Sequence, residues 1–124
     1  MIQLRKKPRV LLLDDDASLQ RLVATLLRRE GFRVETVSTG RQAIEKLAGT
    51  EYDALLLDLM TPTEGGMTVI RHLREKDPDL LQRTLLLTAS PDSMLQAVSG
   101  EGAGVVKKPF DPEELIGAIR RVMG

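Results

Sequence analysis

The chain has 124 residues, a length that fits one domain. Its 18 basic and 18 acidic residues give a net charge of zero, which excludes a strongly basic nucleic-acid-binding protein and an acidic solvating tail. Hydrophobic residues make up 42%, too many for a disordered chain, and the absence of cysteine excludes disulfides, thiol nucleophiles and cysteine-ligated metal sites. The three aromatic residues are too few for a surface on which nucleic-acid bases stack.

Apolar runs in this chain are short, about four residues at most, against about 18 for a membrane span. The basic flank, residues 1–9, lacks the apolar stretch of a signal peptide. We therefore expect a single cytoplasmic domain, residues 1–124, with no membrane contact, no direct nucleic-acid binding and no output module within it.

Short apolar runs alternate along the chain with stripes of apolar residues at helical spacing. The runs predict strands at 10–13, 32–37, 54–57, 84–87 and 105–106. The stripes predict five helices, whose inward positions are Leu19, Leu22, Val23, Leu26 and Leu27; Ala43, Ile44 and Leu47; Met67, Ile70 and Leu73; Met94, Leu95 and Val98; and Leu115, Ile116, Ile119 and Val122.

Residues that commonly start or stop helices support these boundaries. Gly31, Gly49 and Pro78 lie where the first three helices are expected to end, and Asp111 followed by Pro112 is a typical helix start. Five strand–helix units in succession predict an α/β fold, a parallel sheet with helices on both faces.

Polar side chains follow four of the five predicted strands. They are Asp14, Asp15 and Asp16 after the first, Asp58 after the third, Thr88 after the fourth and Lys108 after the fifth. The carboxyl ends of parallel strands share one edge of the sheet, where ligands bind, so these groups are expected to meet.

Carboxylates gathered at one edge need a counter-charge, since two unit charges about 4 Å apart repel by roughly 4 kcal/mol at an effective dielectric of 20. An oxygen-coordinated cation supplies it, with Mg²⁺ the best fit and Mn²⁺ a substitute. A cation, an ammonium, a hydroxyl and a carboxylate together can hold a phosphoryl group, with the carboxylate as acceptor.

Four segments in this order resemble the receiver domain of two-component response regulators, whose fold is that of the chemotaxis regulators. They are VLLLDDD at 10–16, DALLLDLMTP at 53–62 with Gly66, LLLTA at 85–89 and KPF at 108–110. The resemblance implies a doubly wound, flavodoxin-like (βα)5 fold with a five-stranded parallel sheet in the order 2-1-3-4-5.

The resemblance also implies a role for each acid of the site. Asp58 would be the phosphoacceptor, attacking the phosphohistidine of a sensor histidine kinase or phosphotransfer protein. Asp15 would bind Mg²⁺ directly and Asp14 through metal-bound water, with Asp58 and the backbone carbonyl of Met60 as further ligands. The domain would be a signalling phosphoacceptor rather than an enzyme, although it would assist its own phosphorylation and dephosphorylation.

The remaining matched residues would surround the phosphoryl group. Lys108 would pair with Asp58 and then with a phosphoryl oxygen, and Thr88 would hydrogen-bond that group and report its presence. Pro62 and Gly66 would shape the loop after the acceptor, and Pro109 would be the cis-proline that follows the lysine in the family.

Two departures from the family concern the switch, for which Thr88 and Val105 are the predicted residues. Val105 occupies the position where the family usually has Tyr or Phe, so switching is expected to proceed without aromatic rotation. The interval from Thr88 to Lys108 is also shorter than the resemblance implies. The face formed by the fourth predicted helix, the fifth strand and the last helix is the expected output and homodimer surface.

Four simpler or competing interpretations remain open. Asp16 is interpreted as a helix cap, and His72, the only histidine, as a surface residue. A pseudo-receiver that only binds a protein partner would need none of the phosphoryl chemistry. A haloacid-dehalogenase-type phosphatase would use the Asp-x-Asp at Asp14 and Asp16, but Asp58 would then have no role.

Overall fold

The computed structural model of the chain describes residues 7–58, 65–88 and 104–124. Its strands are β1 (Arg9–Leu13), β2 (Arg33–Val37), β3 (Ala54–Asp58), β4 (Thr84–Thr88) and β5 (Gly104–Lys107). Its helices within these ranges are α1 (Ala17–Arg29), α2 (Gly40–Gly49), α3 (Gly66–Lys76), α4 (Pro78–Gln82) and α5 (Pro112–Met123).

The five strands form one parallel sheet in the order β2-β1-β3-β4-β5. This architecture and strand order confirm the predicted fold class. The order places β1 and β3 side by side at the centre, where the residues that follow each strand come together at one edge.

Alternate residues of the central strands point to opposite faces of the sheet, and each face has its own apolar layer. Val10 and Leu12 pack with residues of α1 and α5, whereas Leu11 and Leu13 pack with residues of α2, α3 and α4. All four side chains are fully buried, which explains why the strand reads as a continuous apolar run.

Side-chain caps begin several helices at the positions where the sequence changes character. Asp16 caps α1 by accepting from the backbone N–H groups of Ser18 and Leu19, which confirms its predicted role. Asp111 likewise accepts from the N–H of Glu114, with Pro112 in the first turn of α5. These caps satisfy N–H groups that have no partner within the helix.

One predicted inward position of α1 is wrong. Leu22 is 53% exposed, whereas Val23, Ala24 and Leu27 are buried. Successive residues of a helix are about 100° apart, so Leu22 lies to one side of the arc that contains Val23 and Leu27. The helix therefore has a narrower apolar face than its leucine content indicates.

The short helix α4 was not predicted, because five residues are too few to show a helical repeat. Asp77 ends α3 and caps α4 by accepting from the N–H of Leu80, and Pro78 opens the new helix. The helix predicted around Met94, Leu95 and Val98 lies outside the described residues. Among the helices of the described ranges, none is long and apolar enough to cross a membrane.

Candidate functional site

The register of the sheet brings Asp14 level with Asp58. Leu13 pairs with Leu57 across β1 and β3, so the next residue of each strand is a carboxylate. Both carboxylates are buried, whereas the neighbouring Asp15 is exposed. One oxygen atom from each of the three acids lies within 4.8 Å of the others.

Lys108 enters the same edge from the end of β5. Its backbone N–H donates to the carbonyl of Thr88 at 2.7 Å, which extends the pairing of β4 and β5 by one residue. Its Nζ lies 3.3 Å from Asp58 Oδ2 and 3.8 Å from Asp14 Oδ2. Thr88 itself is fully buried at the end of β4, one position beyond the residue that pairs with Asp58.

The turn that carries the acids is held by a group of local hydrogen bonds. Asp14 Oδ1 accepts from the backbone N–H of Asp16 at 2.9 Å, and the N–H of Asp14 donates to the carbonyl of Val37. The side-chain Nε2 of Gln20 donates to the carbonyls of Asp14 and Val37, at 3.1 and 2.9 Å. The turn is thereby joined both to α1 and to the end of β2.

Gln20 was not among the predicted site residues, although the sequence contains a signal for it. Gln20 precedes Val23 by three residues and Ala24 by four, so it lies on the buried face of α1. A polar side chain in the apolar arc of an amphipathic helix needs a hydrogen-bonding partner, and here it has two.

Burial has an electrostatic cost at this site. Desolvation, with a smaller contribution from the negative charge of Asp58, raises the pKa of Asp14 to about 6 despite the opposing effects of the Asp16 N–H and of Lys108. Within the described part of the chain, Asp14 Oδ2 is buried and accepts no hydrogen bond, so its closest described charge partner is the ammonium at 3.8 Å. One buried oxygen of this carboxylate is therefore available to a further ligand.

These residues fit a divalent cation. Three carboxylates and one ammonium leave an excess of negative charge, and carboxylate oxygens are the ligands that Mg²⁺ prefers. The buried, unbonded Oδ2 of Asp14 is an acceptor that a metal or its bound water would satisfy. The third carboxylate, that of Asp15, is exposed to solvent.

Three other predicted site residues, Gly66, Val105 and Pro109, lie within the described ranges. The Lys108–Pro109 peptide bond is cis, and Gly66 is buried as the first residue of α3 rather than within a loop. Val105 lies in β5 and is 43% exposed, with its neighbour Val106 buried in the core. Met60 and Pro62 lie outside the described residues.

His72 has no part in this edge of the sheet. It is half-buried beside a cavity of about 560 Å³ at the opposite, amino end, near Tyr52 and Asp53. Because His72 is half-buried, the prediction of a surface histidine is correct only in part.

Tyr52, at the same end of the sheet, forms a hydrogen bond to a carboxylate. Its hydroxyl donates to Glu35 Oε2 at 2.7 Å, and burial together with this acceptor raises the pKa of Tyr52 to about 12.

Comparison with known proteins places this site in a family. The family model for the response regulator receiver domain matches residues 10–120. The chain is 39% identical over 118 residues to the transcriptional regulatory protein TrcR of Mycobacterium tuberculosis, covering 93% of this chain and 45% of that protein. It is 37% identical over 117 residues to the DNA-binding response regulator MtrA of Mycolicibacterium paratuberculosis, covering 92% of this chain and 50% of MtrA. The chain thus spans about half the length of these curated relatives.

Solved structures give the same result for the fold. The chemotaxis response regulator CheY4 of Vibrio cholerae superposes with a TM-score of 0.84 at 30% identity, covering 94% of this chain and 98% of CheY4. A response regulator receiver protein from Sinorhizobium medicae superposes with a TM-score of 0.85 at 28% identity, covering 95% of both chains.

Proposed function

The chain belongs to the family of response regulator receiver domains of two-component signalling, and from this premise we propose that Asp58 accepts a phosphoryl group in a Mg²⁺-dependent reaction. One observation carries the proposal. Three separate strand ends supply the groups: one carboxylate oxygen each of Asp14, Asp15 and Asp58 lies within 4.8 Å of the others. Lys108 forms ion pairs with Asp14 and Asp58. Charged groups that converge in this way are costly to gather and are typical of a functional site.

The proposed phosphodonor is a phosphohistidine on a sensor histidine kinase or a phosphotransfer protein. An Asp58 carboxylate oxygen attacks phosphorus, the P–N bond breaks, and its electron pair returns to the imidazole, which takes up a proton. The product on this chain is an acyl phosphate. Catalysis of such a transfer consists almost entirely of positioning and charge neutralisation. Because the phosphoryl group remains on Asp58, the domain is a signalling phosphoacceptor rather than an enzyme with turnover.

Each neighbouring group has a role in holding the phosphoryl group. Lys108, 3.3 Å from the acceptor, is positioned to exchange its ion pair with Asp58 for one with a phosphoryl oxygen. Thr88 at the end of β4 is the proposed hydrogen-bond donor to another oxygen. A Mg²⁺ ion bound by Asp14, Asp15, Asp58 and the carbonyl of Met60 would offset the charge that develops on the transferring group.

We propose that the acyl phosphate acts by shifting a two-state equilibrium. The modification adds about −1.5 to −2 charges and three acceptor oxygens beside Thr88 and Lys108. Lys108 is linked through its backbone to β4, and Val105 lies three residues earlier on the exposed side of β5. The proposed output surface comprises β5, α5 and the helix predicted around Met94, and homodimerisation through it remains a prediction.

The recipient of the signal is a partner protein or a further module of a longer chain. Relatives that carry the names of a transcriptional regulator and a DNA-binding response regulator are about twice as long as this chain. Their DNA binding is not proposed for the described domain, because the chain as a whole has no net positive charge.

Intact mass after incubation with Mg²⁺ and a phosphoramidate or acyl-phosphate donor tests the proposal. The wild-type chain is expected to gain the mass of one phosphoryl group, and Asp58→Asn is expected to gain none. Asp16→Asn is the matched control, since it also neutralises one acid of the same edge but keeps an effective helix cap, and it should be phosphorylated like the wild type.

Two outcomes would contradict the proposal. An unchanged wild-type mass would favour a module that acts without phosphorylation. Labelling that survives Asp58→Asn and disappears in Asp14→Asn would favour the phosphatase interpretation, in which Asp14 is the nucleophile.

A further inference from the structure

We propose that Gln20 is a positioning residue that fixes the turn of the acidic site, so that its loss weakens Mg²⁺ binding. This inference rests on the proposed function, because it concerns the metal of the same site. Gln20 has no predicted contact with the metal or the phosphoryl group, and it acts through the backbone of Asp14 and Val37.

The chemistry of the contact defines the orientation of the Gln20 amide. Both partners are backbone carbonyls, which only accept hydrogen bonds, so both must face the NH₂ group. The two N–H bonds of that group are donated to Asp14 O at 3.1 Å and Val37 O at 2.9 Å. The donor capacity of the amide nitrogen is therefore fully used.

The position of these carbonyls makes the contact relevant to the metal site. The carbonyl of Asp14 belongs to the peptide group that joins Asp14 to Asp15, so Gln20 orients the plane from which the exposed Asp15 side chain projects. Among the hydrogen bonds described for this turn, none is made by the side chain of Asp15. Within the described ranges, the Asp15 side chain is therefore not held in place by a second contact of its own. Partners that orient metal ligands typically contribute 10–100-fold to metal affinity.

A second hydrogen bond from a side chain of α1 to the backbone of β2 provides a matched control. Arg28 Nη2 donates to the carbonyl of Val34 at 2.9 Å, so it also joins a side chain of α1 to the backbone of β2. Val34 lies three residues before Val37, which is about 10 Å along the strand at about 3.3 Å per residue. Loss of the Arg28–Val34 hydrogen bond should lower the free energy of unfolding without affecting the acidic turn.

The experiment compares Gln20→Met with Arg28→Met in the full chain. Methionine approximately keeps the length of the glutamine side chain, is two atoms shorter than arginine, and removes the N–H donors in both variants. The readouts are the Mg²⁺ dissociation constant by isothermal titration calorimetry, unfolding by urea, and the phosphorylation rate at saturating Mg²⁺. Gln20→Asn, whose amide is one methylene shorter, is the second variant and covers the case in which Gln20→Met does not fold.

Gln20→Met and Gln20→Asn are expected to raise the Mg²⁺ dissociation constant about tenfold, with a near wild-type phosphorylation rate once Mg²⁺ is saturating. Arg28→Met is expected to leave that constant within about twofold, because its charge is distant from the site and screened by salt. Equal dissociation constants in the Gln20 and Arg28 variants would overturn the inference, as would a reduced rate with unchanged affinity.

Mg²⁺ binding and phosphoryl uptake, both measured on the wild-type chain, distinguish failure of this inference from failure of the proposed function. If the wild-type chain binds Mg²⁺ and the Gln20 variants bind it about tenfold more weakly, but the wild-type chain takes up no phosphoryl group, the inference stands and the proposed function fails. If it binds no Mg²⁺, the inference is overturned.

Discussion

Asp14 is the residue at which the site and the stability of the fold are in conflict. Its carboxylate is buried beside Asp58, and burial raises its pKa from 3.8 to about 6. At neutral pH the folded chain therefore holds a charge that is more easily carried in the unfolded state. A residue with this cost is expected where a ligand, rather than the fold, benefits from the charge.

Asp14→Asn is expected to stabilise the metal-free protein at pH 7.5, with a free energy of unfolding higher by on the order of 1–3 kcal/mol. The amide keeps an oxygen that can accept from the Asp16 N–H and removes the buried charge. Urea denaturation in the presence of a chelator measures the difference.

The pH dependence of this difference has a defined sign. An acid whose pKa is raised by folding binds more protons in the folded state between the two pKa values, so stability falls as pH rises through that window. The advantage of Asp14→Asn should therefore be full above about pH 6 and shrink as pH falls toward 4. A variant that is less stable than the wild type in chelator at pH 7.5 would contradict the assigned cost.

At the scale of elements, α1 serves both the core and the site. Val23, Ala24 and Leu27 pack on the sheet, Asp16 caps the first turn, and Gln20 binds the acidic turn from the same helix. Packing of this helix and geometry of the site are therefore linked by one rigid element.

Two leucines of α1 provide a test of which face is buried. Leu27→Ala is expected to lower the free energy of unfolding by about 2–5 kcal/mol, because it leaves a cavity in a fully buried position. Leu22→Ala, at a position that is 53% exposed, should change it by no more than about 0.5 kcal/mol. Similar losses in the two variants, measured by urea denaturation, would show that Leu22 is buried in solution.

The elements that could be predicted from the sequence are those with a pattern longer than one turn. The central strands are apolar throughout because both of their faces are covered, and α5 carries a cap, a proline and an apolar stripe. The five-residue helix α4 has no such repeat, and the outward position of Leu22 depends on how α1 rolls against the sheet. Neither is specified by composition.

At the scale of the whole molecule, topology explains why the acidic edge could be predicted from the sequence. Parallel strands deliver their carboxyl ends to one edge, so Asp14 and Asp58 meet although 44 positions separate them. The zero net charge of the chain coexists with this local excess of carboxylates. The contribution of Gln20 was missed because a hydrogen bond to a backbone carbonyl requires no particular residue type in its partner.

The identity of the phosphorylated residue tests the central claim most directly. Borohydride reduces an acyl phosphate to an alcohol and so converts a phosphorylated aspartate to homoserine, which peptide mass spectrometry can locate in the Mg²⁺- and donor-treated chain. Homoserine is expected at position 58 alone, and only when Mg²⁺ is present. Homoserine at position 14, 15 or 16, or at no position, would contradict it.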